Sequence, residues 1–321
     1  MSLLKQVTTG IKTRPHFISL YGVGGVGKST FGAAAPKPVF LGTDDGIATL
    51  NVASFPVPKT WQEVKAAIQD LLMESHEFET LVIDTINGLE PLLSAHICKE
   101  AKVSSIEDVD GGFGKGYVRM EEEWVEFFKT LKRLRMKMNV ILLGHAKVKT
   151  IEDPYENERF DRYLLKMHER GAALVHESVD CNFFANFKTV SKKEKGARKA
   201  KMFGDGTRRM FTEERPAFLA KSRFDLPFEM DLSWDAFVDA VAKCVPKATT
   251  DELADMFKGR EAEATAYLVH IGWLLQGQSL TDLLAAKRKP ILSRKAEFLK
   301  AVEEFANSKE ETPAEEEQPN E

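Results

Sequence analysis

A glycine-rich octapeptide, Gly22–Ser29, limits the folds open to this chain more than any other segment, because it fits the pattern GxxxxGK[ST]. A short apolar run typical of a buried strand precedes it, and a stretch with helical patterning follows it. In that context the glycine backbone surrounds phosphate oxygens, the lysine reaches the β and γ phosphates, and the serine hydroxyl binds Mg²⁺. The motif predicts a phosphate-binding loop (P-loop) for ATP and Mg²⁺. Its predicted nucleotide-binding residues are Gly22, Gly24, Gly25, Val26, Gly27, Lys28, Ser29 and Thr30.

Acidic residues follow two of the other strand candidates. Asp84 ends the apolar run Leu81–Ile83, and a carboxylate at the carboxyl end of a buried strand is placed to hold the water shell of Mg²⁺ beside a P-loop. We therefore predict Ser29 and Asp84 as the metal site. Asp44 and Asp45 follow an earlier strand candidate, and either could orient the water that attacks the terminal phosphate.

Apolar runs alternate with amphipathic stretches from Phe17 to about Val241, which predicts an α/β fold with a mostly parallel sheet and helices on both faces. Further strands are expected at Pro38–Leu41, Thr80–Asp84 and Asn139–Gly144. Thr60–Glu63 has the spacing of a capping box that opens a helix, and Glu121–Met138 has the pattern of a second, longer helix. From about Asp180 the pattern favours antiparallel strands joined by turns, as in a sheet that ends as a mixed one.

The chain divides in composition near Val245–Thr250. We predict a core over residues 1–245, a small helical module over 246–307, and a disordered acidic tail over 308–321 that is rich in Glu and Pro. Within the core, Lys188–Lys201 is strongly basic and is interpreted as a surface loop, either solvated or in contact with DNA.

Composition argues against a membrane-spanning protein and a disulfide framework, but it does not indicate what the protein binds. The net charge of −4 neither supports nor excludes nucleic acid. Three scattered cysteines without CxxC spacing indicate buried thiols in a reducing compartment. No apolar run approaches the roughly 20 residues that would span a bilayer, so we expect a cytoplasmic protein without a membrane partner.

With these motifs the chain resembles the RecA-like ATPase core, and more narrowly the phage ATP-binding proteins of the RecA-like group of single-strand annealing proteins. The segments that carry the resemblance are Gly22–Thr30, Phe40–Gly46, Leu81–Asp84, Gly112–Tyr117, Leu142–Lys147 and Ala220–Phe224. Nucleotide partition ATPases have a similar glycine string, but their pattern needs a lysine where this chain has Val23.

The resemblance implies roles for residues outside the P-loop. Asp44 matches the acid that activates water, although Asp45 stays open, and His145 matches the residue that senses the γ-phosphate. Lys221 and Arg223 match a basic pair that touches the nucleotide of a neighbouring subunit. Two segments match loops that bind DNA, Gly111–Tyr117 and roughly Lys147–His168.

The first of these segments also has the composition that single-strand binding uses: exposed backbone, one charge and two aromatic rings. The predicted DNA-binding residues are Gly112, Phe113, Gly114, Lys115, Gly116 and Tyr117.

We therefore expect an ATPase that binds single-stranded DNA and promotes annealing or recombination for a phage, in the cytoplasm of its bacterial host. Its expected partners are single-stranded DNA, further copies of itself in a ring or filament with ATP at the subunit interfaces, and a single-strand binding protein. One alternative is a nucleotide switch or helicase loader that acts on a protein partner. A small-molecule kinase is a second alternative, but no separate acceptor-binding motif is apparent.

Overall fold

The fold is described from a computed structural model. It describes residues 14–152, 159–192 and 201–244, and beyond these residues 253, 256–274, 276, 278–280, 283 and 290–310. The chain separates into two compact units, Met1–Cys244 and Val245–Glu321.

The described residues of the first unit form a ten-stranded sheet. Its strands are β1 (Phe17–Gly22), β2 (Pro38–Gly42), β3 (Ala53–Ser54), β4 (Thr80–Asp84), β5 (Asn139–Glu152), β6 (Arg159–Leu165), β7 (Cys181–Lys192), β8 (Lys201–Phe211), β9 (Lys221–Ser222) and β10 (Glu229–Asp231). The main order is β10-β8-β7-β1-β5-β4-β2-β3, with β6 paired to β5 and β9 paired to β7. Strands β7, β1, β5, β4, β2 and β3 are mutually parallel, which confirms the predicted mixed, mostly parallel α/β sheet.

The helices are α1 (Lys28–Ala33), α2 (Trp61–Met73), α3 (Ile86–Ala101), α4 (Lys115–Leu134), α5 (Glu169–Ser178), α6 (Trp234–Cys244), α7 (Glu261–His270) and α8 (Lys295–Glu310). Apolar residues of α2–α5 pack with alternate residues of the central strands in one large core. Phe31 of α1 contacts Trp234 of α6, and Phe237 of α6 contacts Phe183 of β7. Every residue of β1 and β4 is buried, as expected for strands with helices on both faces.

The helix start that the sequence predicts at Thr60 is confirmed, but the Glu63 side chain bonds the amide before the N-cap and not that of Thr60 itself, so the capping box is only half formed. The Thr60 hydroxyl accepts a hydrogen bond from the Glu63 amide at 3.2 Å, and the Glu63 carboxylate accepts one from the Lys59 amide at 2.7 Å. The bond to Thr60 satisfies an amide that the first helical turn leaves without a partner, and the bond to Glu63 fixes the residue that precedes the N-cap.

The antiparallel pairing predicted from about Asp180 is confirmed, because β7 is antiparallel to both β8 and β9; the crossover through α5 also makes β7 parallel to β1. Three other local predictions need correction. The segment predicted as a loop over Lys147–His168 is largely an antiparallel ribbon of β5 and β6. Helix α4 begins at Lys115, six residues before the predicted start. The basic stretch Lys188–Lys201 is partly strand, and its residues 193–200 lie outside the described part of the chain.

A buried carboxylate links several arginines at the amino end of β7. Asp180 is 2% exposed, and it pairs with Arg135, which is also buried, and with the more exposed Arg14 and Arg223. It also accepts a hydrogen bond from the Phe17 amide at 3.3 Å. Burial lowers the pKa of Arg135, whereas the charge of Asp180 opposes that shift. The carboxylate therefore provides the counter-charge for a buried guanidinium.

The second unit has a small core of its own. Leu268 of α7 and Val302 of α8 are both buried in it, together with Phe257 and Ile291. Helix α8 runs to Glu310, and residues 311–321 of the predicted acidic tail lie outside the described residues. Across all of the described residues, no helix combines the length and apolarity that crossing a membrane requires.

Candidate nucleotide-binding site

The predicted P-loop connects β1 to α1 at the carboxyl edge of the sheet. Gly27 caps α1 with a φ of 104°, a conformation that residues with a side chain rarely adopt. Lys28 is the first helical residue and is only 7% exposed, with its Nζ donating to the carbonyls of Gly22 at 3.2 Å and Val23 at 2.9 Å. Burial lowers the pKa of this ammonium, and the charge of Asp84 partly offsets the shift. The Lys28 side chain therefore bends back onto the P-loop, and its ammonium is bound by backbone carbonyls of the loop.

Ser29 and Asp84 come together as predicted for a metal site. The Ser29 hydroxyl donates to Oδ2 of Asp84 at 2.5 Å, although the two residues are 55 positions apart. Burial raises the pKa of Asp84, an effect that the Ser29 hydrogen bond opposes and the charge of Asp44 reinforces. A hydroxyl and a carboxylate are oxygen donors of the kind Mg²⁺ prefers. Ser29 and Asp84 therefore fit Mg²⁺, which would offset the charge of the Asp84 carboxylate when bound.

His145 occupies the space between the P-loop strand and the Asp84 strand. The sheet places β5 between β1 and β4, with His145 beside Gly22 and Leu143 beside Asp84. The Asn87 side chain accepts a hydrogen bond from the His145 amide at 2.9 Å. Burial, and next the charge of Lys28, lower the pKa of His145, so its imidazole is neutral at pH 7 and retains one ring N–H donor.

Asp44 lies just beyond the end of β2, on the other side of Asp84 from β5. Its Oδ1 accepts a hydrogen bond from the Gly46 amide at 2.8 Å, and its charge acts on both Asp84 and His145. Asp45 starts a short 3-10 turn, and the position of its side chain lies outside what the structure describes. The carboxyl edge of the sheet thus brings together Lys28, Ser29, Asp44, Asp84 and His145.

A family model described as an AAA domain matches residues 14–224, more than half of the 321 residues. The chain belongs to the AAA domain family. The first unit therefore contains a P-loop ATPase domain.

A relative of this AAA domain is the SPbeta prophage-derived uncharacterized protein YorG of Bacillus subtilis (strain 168), which is 23% identical over 133 residues. The match covers 40% of this chain and 40% of the relative, so the chain spans about two fifths of the length of the relative it matches.

Half of the predicted DNA-binding segment, Gly112–Tyr117, is helical. Gly114 is the N-cap of α4, so Lys115, Gly116 and Tyr117 form its first turn. A Cβ at Gly116 would lie 2.1 Å from the Ile106 carbonyl oxygen, which explains why glycine is needed there. The Tyr117 ring stacks on His168 with centroids 4.3 Å apart, and its hydroxyl donates to Glu107 at 2.5 Å.

The other predicted ring of this segment is free of such contacts. Phe113 is fully exposed, with a φ of 56° in the left-handed region. Positive φ is uncommon for a residue with a side chain, and full exposure leaves the ring available to contact a ligand. Lys115 donates to the carbonyl of Asp110 at 2.9 Å.

The predicted basic pair, Lys221 and Arg223, is not part of the nucleotide site of its own chain. Lys221 is opposite Asn182, near the amino end of β7, and Arg223 pairs with Asp180 at 3.3 Å. The P-loop follows the carboxyl end of β1, which is parallel to β7, so the pair and the loop lie at opposite edges of the sheet. Burial, and then Arg223, lower the pKa of Lys221.

Two residues at the site were not predicted. Asn87 lies three positions after Asp84, and its polar side chain in the first turn of a helix that follows an acid-terminated strand was a usable signal. Arg208 approaches the P-loop from β8, and no local motif marks it, because only the order of the strands brings β8 to that side.

Proposed function

We propose that this AAA domain binds and hydrolyses ATP with Mg²⁺ and uses the nucleotide to control binding of single-stranded DNA, in annealing or recombination for a phage. The observation that carries the nucleotide part is the contact between the Ser29 hydroxyl and Asp84 beside Lys28. The prophage origin of the relative supports the phage context.

The side chains at the carboxyl edge suit phosphoryl transfer to water. Lys28 is placed to exchange its two loop carbonyls for β- and γ-phosphate oxygens once a nucleotide enters. Asp44 is the carboxylate that orients the attacking water, and neutral His145 donates a hydrogen bond to the γ-phosphate. Ser29 and Asp84 would hold Mg²⁺, which would supply positive charge to neutralise the phosphates.

The DNA part of the proposal rests on the surface around Phe113. A cavity of about 680 Å³ adjoins this segment and is lined by Tyr117, Lys147 and Lys166, as well as by Asn87. Exposed rings provide stacking surfaces for bases, and lysines attract the phosphate backbone without reading sequence. Because Asn87 also bonds the His145 amide, one residue joins the γ-phosphate side of the site to the cavity wall.

Removing the exposed ring tests the DNA surface. Phe113→Ala is expected to weaken binding of single-stranded DNA by roughly 5- to 150-fold, the equivalent of losing about 1–3 kcal/mol of stacking on one base. Affinity for ATP should be unchanged, since Phe113 makes no contact with the P-loop. The measurement is a fluorescence-anisotropy titration with a labelled oligonucleotide at two salt concentrations.

Met73→Ala is a matched control, because Met73 is also an exposed apolar residue, 68% exposed at the end of α2. Its DNA affinity should equal that of the unmodified protein. Equal affinity in Phe113→Ala as well would remove this segment from the DNA surface.

We further propose that the protein assembles head to tail, with Lys221 and Arg223 reaching the nucleotide of a neighbouring subunit. A cation that acts in trans has to lie away from the P-loop of its own chain, and these two residues do. Arg223 retains 53% side-chain exposure despite its ion pair with Asp180, so part of the guanidinium is available to a neighbour.

A mixing experiment tests this assembly. A Lys221→Ala/Arg223→Ala protein and a Lys28→Ala protein, each inactive alone, should regain part of the ATPase activity when combined, because some interfaces then join an intact P-loop to an intact basic pair. Size-exclusion chromatography shows whether the two variants co-assemble. If they do and ATPase activity does not recover, Lys221 and Arg223 do not act on a neighbouring subunit, and their role is limited to the contacts around Asp180.

A further inference from the structure

Arg208 on β8 is held against the P-loop of its own chain. It is opposite Phe187 of β7, two residues beyond Ala185, which in turn is the partner of Gly22 at the end of β1. Antiparallel β8 therefore carries Arg208 past the carboxyl edge of the sheet, where the P-loop begins. A residue more than 180 positions away in sequence thus meets the loop through strand order alone.

The approach is close. A Cβ built on Gly27 would lie 2.9 Å from Nη1 of Arg208, and 3.6 and 3.7 Å from its Cδ and Cζ. The guanidinium therefore lies directly over the loop residue that precedes Lys28. Glycine at this position leaves room for the arginine in addition to meeting the demand of its positive φ.

The charges around Arg208 distinguish it from its neighbour. Arg209, on the same strand, pairs with both Glu229 and Asp231. Within residues 14–152, 159–192 and 201–244, Arg208 forms no ion pair with a carboxylate, and it is exposed to solvent. A planar guanidinium that faces a phosphate-binding loop without a carboxylate partner has the geometry to receive phosphate oxygens in a bidentate manner.

We propose that Arg208 binds the phosphate chain of the nucleotide held by the P-loop of the same subunit. This inference rests on the proposed binding of ATP and adds a second cation, beside Gly27, to the site that contains Lys28. It is separate from the contact proposed for Lys221 and Arg223, which lie at the other edge of the sheet. Arg208 acts in cis, so its contribution does not require assembly.

Substitution on the full chain tests the proposal, with MgATP affinity measured by isothermal titration calorimetry at a protein concentration where the chain is monomeric. Arg208→Gln is expected to weaken MgATP binding at least tenfold, because a charge-assisted contact to phosphate is lost. Arg208→Lys should have a MgATP affinity between those of Arg208→Gln and the unmodified protein, since lysine retains the charge but not the bidentate geometry of the guanidinium. Arg209→Gln, the matched control one residue along β8, should bind within twofold of the unmodified protein.

The melting temperature of each nucleotide-free variant separates loss of a ligand contact from damage to the loop. We expect Arg208→Gln to melt within about 2 °C of the unmodified protein in the absence of nucleotide, and to gain less stability from added MgATP. The inference is overturned if Arg208→Gln binds within twofold of the unmodified protein while Lys28→Ala has lost binding. It is also overturned if Arg209→Gln weakens binding as much as Arg208→Gln, because the effect would then belong to β8 as a whole. If the unmodified protein itself does not bind MgATP, the proposed function fails and Arg208 has no phosphate to contact.

Discussion

Replacement of Lys28 by alanine is expected to lower the affinity for MgATP by about 10²-fold or more, because it removes the ammonium that receives the β- and γ-phosphates. The side chain is 7% exposed, so it is not the solvent-facing group that a loop motif alone would indicate. Lys28→Met therefore accompanies the alanine variant, since it keeps most of the apolar stem while removing the charge. Calorimetric titration of both variants with MgATP gives the result.

Lys65→Ala is the control for this experiment. Lys65 is a partly exposed lysine that pairs with Glu123. Its replacement by alanine is expected to leave the affinity for MgATP unchanged. Lys28→Met with the MgATP affinity of the unmodified protein, and with an unchanged melting temperature, would contradict the assignment of the P-loop.

Replacement of Asp180 by alanine is expected to destabilise the first unit by about 3–5 kcal/mol, because it leaves the buried guanidinium of Arg135 without its counter-charge. Urea unfolding followed by tryptophan fluorescence gives the free energy of unfolding.

Asp231→Ala supplies the comparison, because Asp231 also pairs with an arginine, Arg209, but at the surface with 71% side-chain exposure. Its loss should change the free energy of unfolding by about 1 kcal/mol or less. Similar, small effects of the two substitutions would contradict the view that Asp180 is the counter-charge of a buried arginine.

The nucleotide site was largely predictable from sequence because its main elements are local. The P-loop is a continuous motif, and Asp84 terminates an apolar run whose burial on both faces follows from its composition. Two strands that are parallel and near each other in a sheet must present their carboxyl ends at one edge. The contact between Ser29 and Asp84 is the consequence.

Other features depended on long-range pairing, which periodicity does not encode. The direction of β7 relative to β1 is set by the crossover through α5, and nothing within Cys181–Lys192 reports it. The position of Arg208 over Gly27 depends on β8 pairing with β7 and β7 with β1. Such residues carry no local signal.

The predicted DNA segment shows a third kind of outcome. Composition alone assigned stacking to both Phe113 and Tyr117, and it could not distinguish a ring already stacked on His168 from one that is fully exposed. That distinction depends on α5 packing beside α4, and it makes Phe113 the ring to substitute.

The most direct test of the proposed function is the steady-state rate of ATP hydrolysis by the full chain with and without single-stranded DNA. We predict Mg²⁺-dependent hydrolysis that single-stranded DNA stimulates, with the stimulation lost in Phe113→Ala and all hydrolysis lost in Lys28→Met. Hydrolysis that does not respond to single-stranded DNA at any salt concentration would contradict this account, and it would favour a nucleotide switch or helicase loader that acts on a protein partner.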